Sequence, residues 1–284
     1  MTYQPISATS LSAERRPEMQ GVGETMRLAV RRGFSLPGIP FLLTLVGIVL
    51  FWEVACRLFA IPSYLLPRPS AILDAFPAIG LGRWSLHVWS TLRVALIGYL
   101  LSIVIAIPLA IILMRSPLLS KTLYPVLVVI QSTPVVAIAP IIIVVLGAGD
   151  APRIVITCLI TFFPLVVSTA TGLAATPPEL IELSRSLRAS GVREMTQIRL
   201  PFAVPYIFSA LKISVTLAVI GAVVAEFCAS EAGIGYFIQF STSMFRLPEA
   251  WAGLFVLASL SLLLFQVVQA TQKFFFPWSL PKKD

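Results

Sequence analysis

The chain has 284 residues, 57% of them hydrophobic and 12% charged, with a formal net charge of +8. Soluble proteins carry roughly a quarter charged residues, so a soluble globular fold is excluded, and several windows reach the ~20 apolar residues that cross a bilayer. The positive charge does not call for nucleic acid, because the basic residues gather between alternate apolar runs as the positive-inside rule expects.

Residues 1–36 are polar and hold Arg15, Arg16, Arg27, Arg31 and Arg32. They read as a cytosolic tail, not a secretory signal, with an amphipathic stretch from Met26 to Phe34. A first span is predicted over Ile39 to Phe59, with Glu53 and Arg57 as an i,i+4 ion pair near its outer end. Ile61 to Trp84 reads as an external segment broken by Pro62, Pro67, Pro69 and Pro77, with a short helix capped by Ser70. Trp89 to Met114 is the second span, ending at Arg115 and Lys121. The third, Leu123 to Leu146, contains Pro125, Pro134 and Pro140, and the last two are expected to bend or break it. After an external turn, Gly147 to Pro152, the fourth span covers Arg153 to Leu173 and is interrupted by Pro164.

Glu179 to Pro201 is the most polar segment after the N-terminal tail. Thr176 is a predicted cap, Pro177 fits the first helical position, and Glu179 can close a capping box. Leu180, Leu183 and Leu187 recur at helical spacing, while Glu182, Arg185 and Arg188 face elsewhere. Gly191 interrupts the helix with Ser190 as a new cap. A second short helix carries Val192, Met195 and Ile198 on one side before Pro201 resets the backbone. Such a hairpin between spans is a handle for a soluble partner; the plain alternative is an amphipathic connector resting on lipid, against which its mixed charges argue.

The fifth span is expected over Pro205 to Phe227, with Ala218, Gly221, Ala222 and Ala225 permitting close helix contact. An external loop, Cys228 to Pro248, includes Gly233 and Gly235. Trp251 to Ala270 is the sixth span. The chain therefore divides into a cytosolic tail (1–36), a six-span domain (37–272) with its hairpin at 176–201, and a cytosolic C-terminal tail (273–284). Arg57, Arg68, Arg83, Arg93, Arg153 and Arg246 fall on the outer side, and the other Lys and Arg residues on the inner. The fold class is all-α: a polytopic membrane protein with six transmembrane helices and a cytosolic coupling-helix hairpin.

No GxxxxGK[ST] phosphate loop, HExxH or GxSxG motif is present, so no enzyme activity, cofactor or metal is expected. Cys56, Cys158 and Cys228 have neither disulfide nor CxxC spacing and read as buried structural thiols. His87, beside the start of span two, is assigned to packing or hydrogen bonding. Arg93 and Lys212 can snorkel toward opposite faces. Glu226 is the strongest polar anomaly in an apolar helix; it is either a structural pair at the interface or a gate. Gln131, Ser132 and Thr133 precede Pro134 and offer donors and acceptors beside disrupted backbone, suited to lining a path or to bonding between helices.

At the hairpin the sequence resembles the inner-membrane permeases of binding-protein-dependent ABC importers, whose EAA loop reads EAAxxxG, nine residues, then IxLP. Glu182 matches the glutamate, Leu183 and Ser184 stand at the alanines, and Arg188 stands at the glycine. Ile198, Leu200 and Pro201 resume the match. Arg188 either reaches around a partner or alters the bend, with Gly191 supplying flexibility. LLPRPSAIL (65–73), QSTPVVAIAP (131–140), VIGAVVAEF (219–227) and GIGYFI (233–238) are similar to the permeases for nitrate, taurine and alkanesulfonates and for thiamin pyrimidine precursors. The resemblance implies a homodimer in the inner membrane with both termini cytosolic. It also implies two ATP-binding cassette ATPase subunits and an external solute-binding protein. In that arrangement Glu182, Arg185, Arg188, Gly191, Ile198 and Pro201 would contact the ATPase, and Gln131 to Pro134 with Glu226 would serve the pathway or gate. The solute would be a pyrimidine or riboflavin-like vitamin precursor, or nitrate, taurine or an alkanesulfonate. An ion-gradient-driven carrier is the alternative, against which the lack of a persuasive inverted repeat weighs.

Overall fold

The computed structural model describes residues 39–280; the predicted N-terminal tail, including Met26 to Phe34, and residues 281–284 lie outside them. Every regular element among the described residues is helical. Contacts divide the chain into two units, 1–60 and 61–284. The first holds α1 (Ile39–Leu58), where Glu53 and Arg57 form the expected pair at 2.6 Å.

The second unit contains all the other helices. α2 (Pro69–Ile79) begins one residue before Ser70, with Pro69 in its first turn and Arg68 as the flanking residue, so Ser70 is not its cap. Proline fits there because its missing N–H would have been unbonded anyway. α3 (Leu81–Arg115) starts well ahead of Trp89, and its early turns carry Trp84 and His87 into the interior.

The third apolar run is two helices, α4 (Pro117–Ser132) and α5 (Val135–Leu146), meeting at a 93° bend. The break falls at Pro134, as expected. Thr133 N–H bonds to Ile130 O at 3.2 Å, and the hydroxyls of Ser132 and Thr133 both donate to Val129 O. Pro140 lies inside α5 without ending it, and Pro164 lies inside α6 (Asp150–Ala174), so the fourth span is not interrupted. A proline forfeits one backbone bond, but Leu165 and Val166 beside Pro164 are fully buried, and packing holds the helix through it.

α7 (Pro178–Ser186) and α8 (Gly191–Glu194) form the hairpin, joined by a π-helical segment (Met195–Arg199) to α9 (Leu200–Cys228). The predicted external loop contains a further helix, α10 (Ile234–Ser243), and α11 (Leu247–Phe275) precedes a 3-10 turn, Pro277–Ser279. α11 thus extends past Ala270 and takes Lys273 into the helix. Among the described residues, five helices are long and apolar enough to cross a membrane, or six when the bent α4–α5 pair is one span.

The centre of this unit is α3, α6 and α9. Added methyl groups at Gly98 of α3 and Gly221 of α9 would lie 2.7 Å from the Thr157 side chain and 2.9 Å from its Cα. Three backbones therefore converge on one residue of α6, as small residues at membrane-helix interfaces allow. Around this point Val94, Ala95 and Tyr99 pack on Val215, Ala218 and Ala222, while Ala106, Ala110 and Leu113 pack on Leu165, Val166 and Ala210. Ala139 of α5 reaches Ile156 and Ala225 in a further cluster. The 25-residue α6 meets polar clusters at both termini, and Arg153 and Leu173, which join them, are roughly 30 Å apart at 1.5 Å per residue.

Candidate functional site

At the C-terminal end of α6 stands the hairpin. Its start differs from expectation: Thr176 is buried and donates its hydroxyl to Leu173 O at 3.1 Å, so it finishes α6 instead of capping α7. Pro177 is the flanking residue, Pro178 opens α7, and no side chain caps that end. Because Thr176 is spent on the preceding helix, the capping box with Glu179 does not form.

The end of α7 resolves the anomaly at Arg188. Its φ is 56°, in the left-handed region where glycine costs least. Ala189 N–H bonds to Ser184 O at 3.0 Å and Arg188 N–H to Arg185 O at 2.9 Å. Together they make a Schellman motif with arginine at the glycine position. Arg188 therefore keeps the bend that glycine would make, and Gly191 begins α8. Ser190 caps α8 as predicted, accepting from Arg193 N–H at 3.3 Å. Ser184, at the second alanine position of the motif, is buried, and its hydroxyl has no hydrogen-bond partner. A small residue is required there.

Pro201 does not reset the backbone. The chain stays helical from Gly191 to Cys228, the proline being absorbed by the π segment, in which Leu200 N–H bonds to Met195 O. Of the three residues expected on one side of the second helix, Met195 is buried, Ile198 half-buried and Val192 exposed. Between α7 and this continuous helix lies an apolar groove of about 250 Å³, lined by Leu180, Leu183, Leu187, Ile198 and Pro201 among others. Glu182, Arg185, Arg188 and Gly191 are exposed around it.

At the N-terminal end of α6 a second constellation forms around Glu226, which is 1% exposed. Its Oε1 accepts from Arg153 Nη2 at 3.0 Å and from the Thr91 hydroxyl at 2.8 Å, and its Oε2 accepts from Gly235 N–H at 2.7 Å. Thr91 Oγ1 in turn accepts from Ile234 N–H at 2.8 Å, and His87 Nδ1 from Gly233 N–H at 3.2 Å. The first backbone donors of α10, unbonded within any helix, are thus satisfied by α3 and α9, with a carboxylate at the positive end of the helix dipole. A methyl at Gly233 would collide with the Glu226 carboxyl carbon, and one at Gly235 would lie 2.8 Å from Oε2. VIGAVVAEF and GIGYFI are two halves of one device.

Arg153 also binds Asp150 at 3.0 Å, and Asp150 binds Arg93 at 2.5 Å. Arg93 is thereby paired as well as half-exposed. Glu226 is a buried structural pair within protein, and His87 takes the hydrogen-bonding role expected of it. Cys56 and Cys158 are buried, but Cys228, at the end of α9, is exposed. Gln131, Ser132, Thr133 and Pro134 are all exposed at the α4–α5 corner. Sequence reasoning missed Thr91, Arg153, Glu194 and Arg199. A buried carboxylate followed closely by two glycines was the available signal for the Glu226 cluster, since an unpaired charge in an apolar helix demands a cation and close backbone donors.

Residues 98–279 match the family described as binding-protein-dependent transport system inner membrane component. The formylaminopyrimidine transport permease protein ThiX of Halalkalibacterium halodurans is 32% identical over 85% of this chain and 95% of its own length. The riboflavin transport system permease protein RibX of Chloroflexus aurantiacus is 32% identical over 86% and 92%. A solved structure of the MetNI methionine ABC transporter in an inward-facing conformation contains a chain 21% identical, with a TM-score of 0.57, covering 65% of this chain and 94% of that one. At that identity it shows a shared fold. A multi-pass chain of long apolar helices, matched over most of its length, belongs to the inner-membrane permease family of ABC importers, as the non-catalytic subunit through which a small solute passes.

Proposed function

We propose that two copies of this chain form a solute pathway at their interface, powered by two cytosolic ATPase subunits and supplied by an external solute-binding protein. Each copy would cross the membrane six times, the α4–α5 pair counting as one bent span, with both termini and the α7–α8 hairpin in the cytosol. The exposed hairpin, with its apolar groove and left-handed Arg188, is the observation that carries this reading: a rigid knob on a chain that has no phosphate-binding loop of its own. ATP-driven closure of the ATPases would push on Glu182, Arg185, Arg188, Gly191, Ile198 and Pro201 and tilt α6 and α9. Gln131 to Pro134, at the exposed corner, are proposed to line the pathway, with Glu226 holding its outer wall and not acting as a moving gate.

The solute is proposed to be a small nitrogenous heterocycle, such as a pyrimidine or a flavin-like vitamin precursor. The names of two relatives at 32% identity support that class, and the protein named putative aliphatic sulfonates transport permease protein SsuC of Bacillus subtilis, at 25%, stands further off. Two experiments test the function. Glu182→Lys should lose ATPase co-purification and uptake while the chain still inserts; normal association and uptake in that variant would refute the handle. Isothermal titration of pyrimidines, flavins, taurine, nitrate and alkanesulfonates against the solute-binding protein encoded beside this gene should find tight binding in the first two classes. Tight binding of an anion instead would overturn the solute assignment, and uptake by this chain alone on an ion gradient would overturn the importer.

A further inference from the structure

The backbone joins the hairpin to α6 at one end and to α9 at the other, and a further attachment does not follow the chain. Arg199, the last residue of the π segment, grips the Glu194 carboxylate through Nη2 at 2.8 Å and Nε at 2.9 Å. Its Nη1 donates to Leu173 O, in the last turn of α6, at 3.4 Å. Carbonyls in that turn have no donor within their helix, and the negative end of the helix dipole favours a cation there. Arg185 of α7 approaches the other oxygen of Glu194 at 3.5 Å. The Glu194 and Arg199 side chains are 13% and 14% exposed, whereas Arg185 is largely exposed. Beside them, Met195 is buried with Leu173, Ala203 and Ile207, against Ile107, Ile111 and Met114 of α3.

The register of this pair depends on the π segment. In an α-helix five residues turn through about 500°, leaving residues 194 and 199 about 140° apart around the axis. A π turn closes its hydrogen bond over five residues and so stacks i over i+5. Pro201 supplies the cause: it has no N–H to return to Gln197 O, and its ring crowds that carbonyl. The widened turn that accommodates the proline thus places an acid and a base face to face.

We propose that Glu194 and Arg199 are positioning residues of the coupling step, clamping the hairpin to the C-terminal end of α6 so that hairpin, α6 and α9 move as one lever. The role in coupling rests on the hairpin being the ATPase contact; the clamp itself belongs to this chain alone. Force entering at the groove would then reach α6 through the clamp as well as through the short link at residues 175–177, and α9 through the continuous helix.

The test uses the full-length chain in nanodiscs with Cys228→Ser and spin labels at Ala151→Cys and Val192→Cys, both exposed positions at opposite ends of the lever. Without partners, the parent chain should give one narrow distance distribution, and Arg199→Gln and Glu194→Gln should broaden it about twofold as the hairpin opens locally. Arg199→Lys, which keeps the charge and loses the fork, should fall between and serves if Arg199→Gln does not fold. Equal widths in all variants would overturn the clamp. In the complex with its ATPase, vanadate-trapped and nucleotide-free states should share one distance in the parent chain and differ in Arg199→Gln. A shift of about 5 Å or more in the parent would overturn the single lever. Absence of any bound ATPase would overturn the coupling role together with the reading it rests on, and would be recognised because the widths in the isolated chain still separate.

Discussion

Arg188 occupies a backbone conformation that costs a side-chain-bearing residue about 1 kcal/mol or more. Its two Schellman bonds hold it there. Arg188→Gly should therefore raise the thermal stability of the detergent-solubilised chain by about 1 kcal/mol, and a fall would show that the arginine side chain itself secures the bend. Ser184 poses the opposite case, a buried hydroxyl without a partner. Ser184→Ala removes an unsatisfied polar group and should gain up to about 1 kcal/mol in the same melting assay; destabilisation would reveal a bond the hydroxyl makes. Glu226 sits where a charge is most expensive, and its neighbours neutralise it. Glu226→Gln leaves Arg153 buried with only Asp150 for a counter-charge, and it should cost about 3 kcal/mol, read as a lowered Tm. An unchanged Tm would mean that the carboxylate is not the counter-charge Arg153 depends on.

The helices show which sequence signals survive packing. Proline at 134 ends a helix because the hydroxyls and N–H around it find local carbonyls and nothing buried spans the corner. At 164 the same residue is overruled by fully buried neighbours, and at 201 it is absorbed by a wider turn. The proline is the same in the three cases, and what decides between them, the burial of its neighbours and the width of the turn, is not written in the local pattern. α10 was invisible for a related reason: its first turn is closed by Thr91, His87 and Glu226, each more than five residues away in the chain and two of them more than a hundred. Gly235→Ala should break this docking, because the new methyl meets both Glu226 Oε2 at 2.8 Å and the backbone carbonyl of Val223 at 3.0 Å. Hydrogen exchange across residues 234–243 should accelerate in that variant while α6 stays protected. Unchanged exchange would show that α10 is held elsewhere.

At the scale of the whole molecule, α6 is the member on which both ends depend. Its N-terminal turn carries Asp150 and Arg153 into the Glu226 cluster, and its C-terminal turn receives Arg199. A displacement of one end therefore has a continuous, closely packed path to the other through Thr157, where α3 and α9 leave no slack. The proposed orientation makes a direct prediction: with the exposed Cys228 removed as Cys228→Ser, Ser186→Cys, exposed on α7, should react with a membrane-impermeant maleimide in inside-out vesicles and not in intact cells. Reaction in intact cells would invert the topology.

Composition alone determined that this chain lives in a bilayer, because so few charges and so many long apolar runs leave no soluble alternative. The polar interruption between the fourth and fifth runs marked the hairpin, because only a segment excluded from hydrocarbon can hold that many charges. What Glu226 pairs with, why Gly233 and Gly235 stand where they do, and how Arg188 takes a glycine-like conformation were decided by tertiary structure. Each depends on groups brought within 3 Å or on a single backbone angle, and neither long-range proximity nor φ is written in the order of residues.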